Sequence, residues 1–93
     1  MAVTTFEGAK IHEQGVTFAI VIVQPHILSS PEKAEANRTI GAFQLRVFPG
    51  IPVVLMAQDP HGTPLYYGRH DIVKFLTGVP VTSIPWQKFT MNG

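Results

Sequence analysis

The chain has 93 residues, a net charge of +1 and no cysteine. A chain of this length forms one small domain and buries roughly 60–65 % of the surface that its unfolded form exposes. The small net charge does not indicate nucleic acid or an anionic membrane as a partner. The lack of cysteine excludes disulfides, thiol redox catalysis and cysteine metal sites. Charged residues make up only 14 % of the sequence, against about 25 % in average globular proteins, so we expect a sparsely charged surface suited to self-association.

The apolar segments bear on where the protein resides. The amino terminus lacks the basic segment followed by an apolar one that is typical of a signal peptide. The longest apolar run, residues 18–23, is much shorter than the roughly 20 residues that a membrane helix needs. We therefore expect a soluble cytoplasmic domain that spans residues 1–93.

The first part of the chain predicts a β-hairpin. Residues 9–12 alternate apolar and polar side chains, which is typical of a half-buried strand, and Gly15 supplies the turn that follows. Residues 16–24 then form a strand that is apolar on both faces over residues 18–23, so we expect it to be central in a sheet. Pro25 ends this strand because proline cannot donate to the hydrogen-bond ladder.

A helix is predicted over residues 31–47. The Ser30 hydroxyl can accept a backbone N–H, Pro31 suits the first helical position, and Glu32 favours the positive end of the helix dipole. Residues 49–50, Pro-Gly, end the helix. Apolar residues at spacings of four, three and four form its inner face, and these are Ala36, Ile40, Phe43 and Val47.

The second half of the chain predicts a second hairpin and a second helix. Residues 52–57 form an apolar strand, and residues 59–62 form a turn in which proline and glycine preset the backbone. Residues 63–67 return as a strand at an edge of the sheet, because they contain a proline. Residues 69–76 form a short helix.

These elements assemble into an α+β fold in the order β-β-α-β-β-α, with a small mixed sheet of three or four strands and two helices. The first β-α-β unit crosses over right-handed, and the turn at 59–62 makes the next pair antiparallel. Residues 79–93 follow as a C-terminal tail or arm. Because this tail concentrates Ile84, Trp86, Phe89 and Met91, we expect it either to cover its own core or to dock on a second chain.

Residues 51–76 combine a strand headed by proline, a turn with glycine, a further glycine and an apolar helix. The strand covers residues 51–56 and is headed by Pro52, and the turn contains His61 and Gly62. The further glycine is Gly68, and the helix covers residues 71–76. The segment resembles the last half of a thioredoxin-like fold, with Pro52 in the place of the cis-proline of that family. The resemblance implies a truncated thioredoxin-like arrangement without redox activity, because the C-x-x-C motif of the family is absent.

Histidines are the first candidates for metal or proton chemistry, and the sequence holds His12, His26, His61 and His70. The one local cluster joins His61 and His70 with Asp59 and Asp71, at the two ends of the strand over residues 63–67. Since a strand advances about 3.3 Å per residue, the two histidines of this cluster lie about 16 Å apart and should not share a metal. Motifs for metal ligation, for a serine nucleophile and for phosphate binding are absent, so we expect no catalytic residue, no cofactor and no metal.

Three function classes remain. We favour a non-catalytic interaction or structural module that forms a homodimer or binds another protein, without nucleic acid or membrane. The candidate interface residues are the large side chains of the predicted edge strand and the tail, namely Tyr66, Tyr67, Trp86, Phe89 and Met91. The alternatives are a small-molecule binding domain on a redox-inactive thioredoxin-like scaffold, and an enzyme that uses His61, Asp59 or His70.

Overall fold

A mixed five-stranded sheet with helices on both faces forms the α+β fold of the protein. The computed structural model describes residues 3–13, 15–29 and 31–92. The strands are β1 (Val3–Glu13), β2 (Val16–Ile22), β3 (Val53–Gln58), β4 (Pro64–Tyr67) and β5 (Gln87–Asn92). The helices are α1 (Pro25–Leu28), α2 (Ala34–Arg46) and α3 (His70–Leu76), and short 3₁₀ turns lie at Pro31–Lys33 and Val81–Ser83.

The order of the sheet is β4-β3-β2-β1-β5, so β2 is the central strand and β4 and β5 are the two edges. β2 pairs antiparallel with β1 on one side and parallel with β3 on the other. β3 and β4 pair antiparallel. These pairings confirm the predicted N-terminal hairpin, the central position of residues 18–23 and the edge position of residues 63–67.

Two apolar clusters lie on opposite faces of the sheet, and β2 and β3 contribute side chains to both. Ala19 and Val21 point to the face covered by α1 and α2, while Phe18 and Ile20 point to the face covered by α3. All four side chains are buried. The continuous apolar run of β2 therefore reflects a layer of helix on each side of the sheet.

The predicted numbers of strands and helices are wrong. The described residues form five strands and three α-helices. The additional strand, β5, lies within residues 79–93, for which the sequence predicts a C-terminal tail or arm. Its side chains alternate between exposed Lys88 and Thr90 and the inward-facing Phe89 and Met91, which is the period of two that characterises a strand. The additional helix, α1, is a single turn directly after β2.

The start of the long helix also differs from the prediction. α2 begins at Ala34, because Glu32 and Lys33 have φ angles of 57° and 56°, and residues in that region cannot belong to a right-handed helix. Ser30, the predicted capping residue, lies outside the described residues. The predicted inner face is confirmed, since Ala36 and Phe43 are buried and Ile40 and Val47 pack against the same cluster.

The thioredoxin-like arrangement is not confirmed. β3, β4 and α3 reproduce the expected hairpin and final helix. However, none of the described residues is joined by a cis peptide bond, so the peptide before Pro52 is trans.

None of the described helices is long and apolar enough to cross a membrane.

Candidate interaction edges and the α2–β4 groove

Both aspartates of the predicted histidine–aspartate cluster have partners close by in the sequence. Asp59 Oδ1 accepts hydrogen bonds from the backbone N–H groups of His61 and Thr63, each at 2.9 Å. The carboxylate thus closes the turn between β3 and β4, which is a common role of aspartate in turns. Among residues 3–13, 15–29 and 31–92, no group of three potential metal-ligating side chains comes together.

Arg69 and Asp71 form a bidentate ion pair on the surface. Arg69 Nε and Nη2 donate to the two carboxylate oxygens at 2.8 and 2.7 Å. The guanidinium lowers the pKa of Asp71 from 3.8 to about 2, chiefly through these hydrogen bonds. The positive charge of Arg69 is therefore already matched within its own chain.

The predicted interface residues of the tail pack against their own chain, on opposite faces of the sheet. Trp86 contacts the apolar cluster beneath α3, and its indole Nε1 donates to the Val81 carbonyl at 3.0 Å. Phe89 and Met91 contact the cluster beneath α2. Each of these three side chains is only partly buried, so each keeps some surface at or near the β5 edge.

Four aromatic rings join β5 and β1 to the carboxyl end of α2. Phe6 lies with its ring centroid 4.7 Å from that of Phe43 and 5.5 Å from that of Phe89. Phe89 also meets Phe48 edge-on at 5.3 Å. Such edge-to-face and offset contacts add to the energy of burial, so β5 is held firmly in its place in the sheet.

The two predicted tyrosines lie on the opposite edge of the sheet, and they point to different faces. The Tyr67 hydroxyl donates to Asn37 Oδ1 at 2.8 Å. The Tyr66 hydroxyl is buried without a hydrogen-bond partner among the described residues, and this burial raises the pKa of Tyr66. Since four strand spacings separate β4 from β5, the tyrosines lie about 19 Å or more from Phe89 and Met91. The two tyrosines and the two β5 residues therefore lie at opposite edges of the sheet.

The two edges of the sheet are protected to different degrees. β4 has four residues and contains Pro64, whereas β5 has six residues and no proline. The one charged side chain of β5 is Lys88. Proteins usually shield an edge strand with proline, charge or short length, and β5 has little of this protection.

A groove that was not predicted from the sequence lies between α2 and the end of β4, with a volume of about 780 Å³. Asn37, Ile40 and Gln44 line it from α2, and Tyr67 and Arg69 line it from β4 and the residues after it. A signal for it was present, because these three helix residues are spaced by three and four and so share one face of the helix. That pattern could not show which element faces them.

Comparison with known proteins found no matching family model, no matching curated protein and no matching solved structure.

Proposed function

We propose that the chain is a non-catalytic interaction module that forms a homodimer by pairing β5 of one copy with β5 of the other. The observation that carries this proposal is the poorly protected β5 edge. An edge strand presents a row of unpaired N–H and C=O groups that another strand can satisfy. The low charged fraction of 14 % leaves little repulsion to oppose association.

The β5 strand is suited to this role because its inner side chains fix it in place. Phe89 stacks on Phe6 and Met91 packs beneath α2, so pairing with a second copy requires little reordering of the strand. A rigid binding element loses less entropy on association than a mobile one. Two copies joined in this way would form one continuous sheet of ten strands.

The pleat of the sheet limits the register of the dimer. A twofold axis perpendicular to the sheet keeps each face on the same side, so residues that lie opposite each other must point to the same face. Every register centred on a residue satisfies this condition, including the three centred on Lys88, Phe89 and Thr90. The β4 edges, with Pro64, then remain at the outside of the assembly.

The oligomeric state tests the proposal directly. We expect light scattering after size-exclusion chromatography, and sedimentation at micromolar concentration, to give the mass of two chains. A monomer at these concentrations would reject the proposed function.

Cysteine cross-linking tests which edge is used, because the natural chain contains no cysteine. Lys88→Cys and Thr90→Cys place single thiols on the exposed face of β5, where directly opposed residues have Cβ atoms about 4.5–5.5 Å apart. In a register centred on Lys88 or on Thr90, oxidation of the corresponding variant alone should give a covalent dimer. In the register centred on Phe89, Lys88 lies opposite Thr90, so a mixture of the two variants should give the covalent dimer. Leu65→Cys, at a side chain 44 % exposed on β4, is the matched control. Efficient cross-linking of that control, with none at β5, would contradict the assigned edge.

A further inference from the structure

The groove between α2 and β4 is followed along β4 by a second cavity, and Tyr67, whose hydroxyl donates to Asn37, lies between the two. A second cavity of about 400 Å³ shares Tyr67 with the first and adds Leu65, Leu28 and Lys33 to the lining. One wall is therefore a stripe of residues spaced by four, three and four along α2 and its cap, and these are Lys33, Asn37, Ile40 and Gln44. The opposite wall is β4 with its half-exposed Leu65.

Two amide side chains in the wall are oriented by the fold and each keeps one group free. The Tyr67 hydroxyl donates a hydrogen bond to Asn37 Oδ1 at 2.8 Å, so the Asn37 amide N–H groups remain available as donors. Gln44 Nε2 donates to the Ile51 carbonyl at 3.2 Å, which leaves its oxygen as an acceptor. Within the described residues, neither free group has another hydrogen-bond partner.

The spacing of these two amides matches an extended peptide. Seven helical residues span about 10.5 Å along the helix axis, and three residues of an extended chain span about 10 Å. A peptide backbone offers a carbonyl to Asn37 and an N–H to Gln44 at this separation. Ile40 lies between the two amides and provides an apolar contact.

The charges in the groove select the chemistry of that peptide. At the Gln44 end, Arg69 is neutralised by Asp71, so this part of the groove favours an uncharged segment. At the other end, Lys33 donates to the Leu28 carbonyl and forms no ion pair with any residue that the structure describes. An acidic group fits beside Lys33, and an apolar side chain fits beside Leu65 and Leu28.

From these contacts we infer that the groove binds an extended segment of a partner protein, uncharged over about three residues and followed by an apolar and an acidic residue. This site lies on the edge of the sheet opposite β5. It is independent of the homodimer.

The test is a nuclear magnetic resonance titration of the full chain. The probe is the capped heptapeptide Asp-Leu-Thr-Val-Thr-Leu-Asp, whose side chains follow the same order from either end, so an acidic residue can reach Lys33 in either binding polarity. We expect saturable shifts in the backbone amide signals of Asn37, Gln44 and Tyr67 at millimolar peptide. The same peptide with asparagine at both ends should bind about two- to fivefold more weakly, as expected for loss of an exposed ion pair. Equal binding of the two peptides would overturn the assignment of Lys33.

The decisive variant is Asn37→Asp, which keeps an oxygen acceptor for the Tyr67 hydroxyl but replaces the amide donor with a negative charge. We expect it to weaken peptide binding about tenfold. Gln58→Glu introduces the same charge at the far end of β3, outside the groove, and should leave binding unchanged. The inference is wrong if the peptide causes no saturable shifts, if Asn37→Asp binds as well as the natural chain, or if the shifts fall on β5.

Discussion

Phe6 and Phe89 lie directly opposite each other in the β1–β5 pair, and their rings stack with centroids 5.5 Å apart and an interplanar angle of 17°. The contact joins the first strand of the chain to the last. Both rings also pack against Phe48, which follows α2. The carboxyl-terminal strand is therefore a structural part of the domain as well as the proposed interface.

Phe89→Ala should destabilise the fold by about 3 kcal/mol, because it removes a large side chain from the aromatic cluster and leaves a cavity. Urea unfolding followed by circular dichroism, at one fixed protein concentration, measures the change. Thr90→Ala is the control on the same strand and should change the free energy of unfolding by less than about 0.5 kcal/mol. A similar loss in both variants would show that the cluster is not what holds β5.

Gly8→Ala and Gly41→Ala should have opposite effects on stability. A Cβ at Gly8 would lie 2.6 Å from the Ile20 carbonyl oxygen, whereas one at Gly41 would meet no atom of the described residues within 4 Å beyond the backbone of its own helix. We expect the first substitution to cost about 1–3 kcal/mol through overpacking. The second should stabilise α2 by up to about 1 kcal/mol, since alanine is the better helix former. Melting temperatures of the two variants check the signs.

Tyr66→Phe and Tyr67→Phe should differ in their effect on the free energy of unfolding. Removal of the Tyr66 hydroxyl eliminates a buried polar group that has no partner among the described residues, so we expect a neutral or stabilising effect. Removal of the Tyr67 hydroxyl breaks its hydrogen bond to Asn37 and should cost about 0.5–1.5 kcal/mol. Chemical denaturation of both variants beside the natural chain provides the comparison. A larger loss for Tyr66→Phe would mean that its hydroxyl has a partner in solution.

The Arg69–Asp71 pair should make stability depend on acidity below about pH 4. The pKa of Asp71 is about 2 in the fold against 3.8 ordinarily, so the unfolded chain takes up the proton first as the pH falls. The stabilisation is therefore complete above pH 4 and is lost as the pH falls towards 2. In Asp71→Asn this part of the acid dependence should disappear, and melting curves between pH 2 and 5 at low salt measure it. An unchanged pH profile would show that the pair does not persist in solution.

Local sequence patterns determined most of the secondary structure. Pro64 predicted an edge strand because proline has no backbone N–H to donate to a neighbouring strand. The two-faced apolar run of β2 predicted a central strand because burial on both faces is visible in the side chains of the strand itself. The apolar face of α2 was predicted for the same reason. The turn at residues 59–62 followed from the local chemistry of proline and glycine.

Only the tertiary structure decided where residues far apart in sequence meet. The alternation in residues 87–92 was readable, yet nothing local indicated that they pair with residues 3–8 at the other end of the chain. The start of α2 depends on two residues with positive φ, a conformation that neither glutamate nor lysine favours. The groove between α2 and β4, and the assignment of the predicted interface residues to two opposite edges, follow from the strand order, which is set by the packing of the whole chain.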